Sequence, residues 1–284
     1  MADSDDYKIV TASADDVRWI IEMADSQAWN PGCNDAVTFQ QADPTGFFIG
    51  LLNGQRISCV SAIKYENFAF IGYYIVVKEH RGKGYGLKIF QHAMNYVKDY
   101  DNVGLDGVVE QLSNYTKSGF NINHKNMRYI GVIPKSEAIC DNIVEAKSIS
   151  FAKLMEYDRR HYPGIRKYFM SSWINQGTDR SVVYLDDNKN IQGFAAIRKS
   201  VDGYRIGPLF AEKFEFAEAL IHALVDSLGG CKVMLDIPLP NENAIKLVEK
   251  LNLQAIIEST RMYTGQTTGV DLNSIYALTC LELG

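Results

Sequence analysis

The chain has 284 residues, of which 46% are hydrophobic and 22% charged, with a formal net charge of −5. That length suits two domains of about 140 residues each, and the composition gives each half material for its own core. The acidic balance disfavours nucleic acid, which needs a basic face, and no apolar run reaches the roughly 18 residues needed to cross a membrane.

In chain order, Tyr7 to Val10 reads as a short strand. A helix capped around Ser13 or Asp15 follows, with Val17, Ile20, Ile21 and Ala24 at helical spacing. Phe47 to Leu52, Ile57 to Ile63 and Phe68 to Val77 are apolar runs broken at Asn53-Gly54 and near Glu66-Asn67. Three strands joined by tight turns, with no helix between them, predict an antiparallel meander. Leu87, Phe90, Met94 and Val97 then trace one face of a helix of about three turns. A strand near Val103 to Val109 and a helix ending at Ser118-Gly119 complete the unit, the glycine supplying a left-handed cap.

The second half repeats the first. Ile57 to Ile63 aligns without gaps on Ile191 to Ile197, an offset of 134 (57 to 191). Ile71-Gly72 matches Ile206-Gly207, and Tyr115 to Phe120 matches Val248 to Leu253. Three agreements in order at nearly one offset predict two tandem α/β (α+β) domains, residues 1–135 and 136–284. Each is expected to hold a mixed, mostly antiparallel sheet flanked by helices, with the junction near Pro134 to Asn142.

The stretch Arg81-Gly82-Lys83-Gly84-Tyr85-Gly86 lies between a strand end and a helix start. Glycines leave the backbone N–H groups uncovered, and the helix start adds unpaired N–H groups and a positive dipole end. Together these make an anion site, and phosphates are the usual occupant; a solvated turn with three convenient glycines is the bland alternative. Two other phosphate loops fail: G-x-x-x-x-G-K-[ST] is absent, and a dinucleotide loop would follow the first strand of a βαβ unit, not a meander. Asp106, about 20 residues on, has the position of a ribose-binding acid, but the topology rejects that reading.

In this order of elements, Arg81-x-x-Gly84-x-Gly86 resembles the signature of the GNAT superfamily of N-acetyltransferases, and the resemblance covers about residues 7–132. It implies a tandem GNAT protein whose co-substrate is acetyl-CoA, with no metal. The loop 81–86 would bind the pyrophosphate, and the strand end Ile75, Val76 and Val77 would pair with the pantetheine arm. Lys78 stands where members often carry proline. The resemblance also makes Tyr115, in Tyr-x-x-x-Gly-Phe, the acid that protonates the departing thiolate, against the alternative of a core tyrosine. Val108 and Gln111 replace the Asn and Ala that often precede this tyrosine.

The general base stays open among Glu66, Glu110, His124 and a chain of waters, and His80 reads as a loop residue. Trp29, Phe39, Phe47 and Phe48 are expected at the acceptor end of the core. At an offset of 135 the second copy's loop would fall at Phe214 to Ile221, where Ala219 and Ile221 replace Gly84 and Gly86 and Glu215 and Glu218 oppose an anion. Tyr115 becomes Val248. The second domain is therefore expected to be degenerate, although Asn241-x-x-Ala244-x-x-Leu247 keeps the family pattern.

Five scattered cysteines without a C-x-x-C pair argue against a disulfide framework or zinc site, and Cys33 reads as a loop thiol. The acidic opening, Met1 to Asp6, is unlike a leader and predicts a cytoplasmic protein, with the nucleus also open. The expected activity is acetyl transfer to a primary amine of a small molecule, peptide or protein, by direct attack in a ternary complex, with no membrane or nucleic-acid partner. A non-enzymatic acyl-CoA-binding module is the alternative.

Overall fold

The computed structural model describes residues 6–136, 140–266 and 269–284. Most of the acidic opening (residues 1–5) and the middle of the expected junction (137–139) lie outside the described residues.

The first copy runs β1 (Tyr7–Thr11), α1 (Ala14–Ser26), α2 (Asp35–Gln40), β2 (Phe47–Leu52), β3 (Gln55–Lys64), β4 (Ala69–Val76), α3 (Tyr85–Tyr96), β5 (Val103–Val108), α4 (Leu112–Lys117) and β6 (Asn121–Pro134). The second runs β7 (Ile143–Glu145), α5 (Phe151–Asp158), α6 (Lys167–Ser172), β8 (Arg180–Leu185), β9 (Ile191–Lys199), β10 (Tyr204–Ala211), α7 (Phe214–Asp226), β11 (Gly230–Pro238), α8 (Glu242–Lys250), β12 (Gln254–Tyr263) and β13 (Ile275–Ala277). Local chemistry explains the boundaries. Ser13 and Asp16 form a capping box at the start of α1, which buries Val17, Ile20 and Ala24. Asn53 and Gly54, both at positive φ, close the β2–β3 hairpin. The short α2 has too few turns for periodicity to reveal it.

The expected repeat is visible in backbone geometry. Phe120 N–H donates to the Tyr115 carbonyl at 3.1 Å, and Leu253 N–H donates to the Val248 carbonyl at 2.9 Å. Opposite β3, β4 carries a bulge at Tyr73-Tyr74, between the pairs Ser61–Gly72 and Cys59–Ile75. Opposite β9, β10 carries one at Gly207-Pro208, between Ile197–Ile206 and Ala195–Leu209.

Strand order adds what the repeat alone did not contain. The sheet runs β1-β2-β3-β4-β5-β12-β6-β11-β10-β9-β8-β7, with β13 on β10. The strand that follows the last helix of each copy is exchanged: β12 pairs with β5, β6 pairs with β11, and the two exchanged strands pair with each other. Each copy's strands are thus completed by a strand of the other copy.

Two buried ion pairs lock this exchange. Arg128 on β6 lies opposite Asp236 on β11 and grips both its oxygens at 2.6 and 2.9 Å. Arg261 on β12 lies opposite Asp106 on β5 and does the same at 2.8 Å each. The two arginines sit at the repeat offset of 133 (128 to 261). Asp236 is also bonded by Arg205 at 2.9 Å. Burial pushes its carboxyl up, but Arg128 and Arg205 overcome that and hold it below its ordinary value. Asp106 has one arginine, and there burial wins.

Residues 1–135 expressed alone should therefore aggregate or stay unfolded, because β5 and β6 lose their partner strands and Arg128 loses its carboxylate. Co-expression with residues 136–284 should restore a soluble complex with the dispersed amide spectrum of the intact chain. A well-dispersed spectrum from the isolated first fragment would show that the exchange is dispensable.

Candidate active site

β4 and β5 pair in parallel only at Ala69–Val103, Phe70–Gly104 and Ile71–Leu105, and then separate. The bulge at Tyr73, which adopts φ 46°, bends β4 where the separation begins. The result is a cleft of about 1160 Å³. Its walls include the free edge of β4 at Ile75 and Val76, the loop glycines 82, 84 and 86, and Tyr115 of α4.

The loop's backbone is open at Gly82 and Gly84, where a Cβ would meet nothing within 4 Å. Gly82 and Gly84 sit at φ 74° and 85°, a conformation that disfavours other residues, and Gly84 is the N-cap of α3. In the first turn of a helix, N–H groups have no intrahelical acceptor. Arg81 uses its guanidinium structurally: it donates to the Val76 carbonyl at 2.8 Å and to Gln27 at 2.9 Å, tying the loop to β4 and to the end of α1. Of the expected cofactor residues, Ile75, Val76, Arg81, Gly82, Gly84 and Gly86 line the cleft, while Val77, Lys83 and Tyr85 do not. Val77 N–H is spent on the Ile57 carbonyl, and Tyr85 turns inward against the ring of Tyr7.

Tyr115 stands in an aromatic frame, its ring 5.7 Å from Phe90, 6.3 Å from Phe120 and 6.5 Å from Tyr74. Burial, helped by neighbouring Tyr74, raises its pKa, so the phenol stays protonated at neutral pH and is a hydrogen donor.

The expected bases are not at the cleft. His124 lines a separate small cavity beside His161 and Tyr162. Burial, reinforced by Arg261, pushes its pKa down to about 3. Glu66 and Glu110 are exposed and outside the cleft walls. Of the four expected aromatics, Trp29 lines the cleft, whereas Phe39, Phe47 and Phe48 are buried in the cores. His80 also stands away from the cleft, its ring 6.3 Å from Tyr85, and Cys33 is an exposed free thiol.

Sequence reasoning allowed the second copy a role as a wall of the acceptor site but named none of the residues that supply it. Ile257 and Ser259 of β12, with Leu281 and Glu282 beyond β13, form part of the wall. The one available signal was Glu282 itself, a lone carboxylate in the apolar run from Tyr276 to Leu283.

The second copy's own cleft is closed, for a reason other than the one expected. Phe214 to Ile221 are the first two turns of α7, not a loop with bulky side chains. β10 ends at Ala211 and α7 begins at Phe214, so the connection that carries the glycines in the first copy has been shortened away. β10 and β11 pair only at Tyr204–Val233 and Arg205–Met234. Beyond that, β13 enters the gap, pairing with β10 at Leu209 and Phe210, while Leu278 N–H donates to the Asp236 carbonyl of β11. Asn241, at the start of α8, donates to the carbonyls of Asn273 and Ile275 and holds this segment in place. Among the described residues no group of His, Cys, Asp and Glu is arranged to hold a metal ion.

Comparison with known proteins agrees with this architecture. Residues 14–120 match the acetyltransferase (GNAT) family model, and residues 154–277 match a second acetyltransferase (GNAT) domain model. The chain is 30% identical over 275 residues to a holothin acyltransferase from Pseudoalteromonas sp. (strain SANK 73390), covering 96% of this chain and 93% of that one. A proposed acetyltransferase from Pyrococcus horikoshii superposes with a TM-score of 0.84 at 20% identity, over 98% of this chain and 96% of that one. A tandem GNAT protein from the clavulanic acid biosynthesis pathway superposes with a TM-score of 0.63 at 11% identity, over 92% of this chain and all (100%) of its own. The chain belongs to the GNAT acyltransferase family, as a tandem member built from two copies of the acetyltransferase fold.

Proposed function

We propose that the protein moves the acetyl group of acetyl-CoA onto a primary amine, by direct attack in a ternary complex at the first copy. The observation that carries this reading is one cleft combining a free strand edge, a glycine loop at a helix start and a protonated phenol. In this reading the amides of the loop and of the first turn of α3 hold the pyrophosphate. The edge of β4 at Ile75 and Val76 receives the pantetheine arm as an added strand. Lys83 stays outside the walls and contributes only a diffuse positive field.

The chemistry then needs few groups. A neutral amine nitrogen bonds to the thioester carbonyl carbon, and the carbon–sulfur bond breaks with its electron pair on sulfur. Tyr115 passes its proton to the thiolate, and the proton leaving the new amide nitrogen restores the phenol through solvent. The relative named for holothin acylation supports acyl transfer as the reaction class. The acceptor would be an amine-bearing small molecule, peptide or protein.

Gly84→Glu should abolish acetyl-CoA binding while leaving most of the stability, since a Cβ there meets nothing within 4 Å. The positive φ adds strain of about 1–2 kcal/mol, and the new carboxylate opposes the pyrophosphate. Calorimetry checks this, and unchanged affinity would place the phosphates elsewhere.

Tyr115→Phe should keep acetyl-CoA affinity and lower turnover about 10- to 1000-fold, measured as thiol release over a panel of amines. An unaltered rate would make Tyr115 a packing residue.

The chain should bind one acetyl-CoA, because β13 occupies the gap that an added strand would need in the second copy. Calorimetric titration gives the stoichiometry, and a value near two would mean that β13 is displaced.

A further inference from the structure

We propose that Glu282, delivered by the C-terminal segment of the second copy, is the residue that receives the acceptor's amino group as an ammonium ion in the first copy's cleft, and that this ammonium passes one proton to solvent before its neutral nitrogen attacks. The inference deepens the amine-acetylation reading and rests on it.

The segment after β13 crosses both bulges. A Cβ on Gly207 would stand 2.4 Å from the carbonyl oxygens of Leu278 and Thr279. One on Gly72 would stand 1.8 Å from that of Glu282. Glycine at both bulges is therefore required by this close approach. The segment is pinned where it ends: Tyr65 and Tyr162 donate to the Leu283 carbonyl at 2.9 and 3.1 Å, and Arg166 donates to Gly284 at 3.0 Å. Glu282 is thus fixed against β4 at the point where the cleft opens.

Of the charged residues that line the cleft, three have buried side chains: Asp106, Arg128 and Glu282. Both oxygens of Asp106 are taken by Arg261, and one also by Asn126. Each nitrogen of Arg128 donates, to Asp236 or to the Trp29 carbonyl. Glu282 is 4% exposed, and its Oε1 accepts from Arg205 at 3.1 Å. Its Oε2 is buried without a partner. Tyr73, on the bulge, also lines the cleft, and its buried hydroxyl has no partner either. A buried carboxylate oxygen with no donor is costly, and an ammonium group is the donor that best matches it. Burial pushes the Glu282 carboxyl up, but Arg205, Arg128 and Arg198 overcome this and keep it ionised. That favours holding a cation over accepting its proton. Trp29 and Leu281, in the same walls, offer apolar surface to the body of such an amine.

The test uses the full chain saturated with coenzyme A, with two isosteric probes, benzylamine (a cation at pH 7) and benzyl alcohol (neutral). Wild type should bind benzylamine, and Glu282→Gln should weaken it about 10- to 100-fold, the range for a charge-assisted hydrogen bond, while benzyl alcohol is unchanged. A normal thermal shift with coenzyme A reports that the variant is folded. If Glu282→Gln does not fold, Glu282→Asp carries the test: it keeps the charge with a shorter reach and should weaken benzylamine selectively. No binding of benzylamine to wild type, or equal loss of both probes, would overturn the proposal. Failure of coenzyme A itself to bind would instead overturn the reading of the cleft, so the two failures are distinct.

Discussion

The reciprocal pairs Arg128–Asp236 and Arg261–Asp106 are the constraint on which the rest of this structure depends. Each joins a strand of one copy to a strand of the other, and each is buried. Removing one member of such a pair leaves a charge without compensation, at a cost of about 3–5 kcal/mol. The exchanged strands therefore cannot separate without both a sheet edge and an arginine losing their partners. Register follows from the same pairs, because a slip of one residue would turn each arginine to the opposite face.

That arrangement makes the two copies unequal in a particular way. Both carry the bulge that splays the strands, and in both the same C-terminal segment lies on the bulge glycine. In the second copy the segment enters the gap as β13 and satisfies the free edges of β10 and β11 with backbone bonds. In the first copy it passes alongside and becomes a wall, leaving the edge of β4 open. A single stretch of chain thus seals one cleft and shapes the other. The second copy is more than a silent duplicate: β12 and the residues after β13 are part of the first copy's site.

The loss of a loop in the second copy and its retention in the first have a simple local basis. The glycine turn of the first copy places Gly82 and Gly84 at positive φ between strand and helix. With two residues between β10 and α7 there is no room for such a turn. Tyr115 and its ring contacts in the first copy are replaced in the second by Val248, which is wholly buried in that copy's core.

The sequence by itself determined the parts of this protein whose cause is local. Ser13 and Asp16 fix the start of α1, Asn53-Gly54 the hairpin, and Gly82 and Gly84 the turn before α3, because caps and positive-φ turns are decided within a few residues. The repeat was legible for the same reason: Ile57 to Ile63 and Ile191 to Ile197 are buried strands in matching positions, and burial restricts which residues can stand there. What only the tertiary structure decided is which strand completes which sheet, and where Glu282 ends up. Nothing local marks β6 and β12 as exchanged, since Asn121 to Pro134 would pair equally well in pattern with its own copy. His124 was drawn in as a base by residue type and neighbourhood, yet the direction of its strand carries it to another cavity. Glu282 is far from Gly72 in the chain, and its place at the cleft depends on β13, the two bulges and Arg205 acting together. Contacts of that kind are selected by packing among distant segments, and the chain's local propensities carry no record of them.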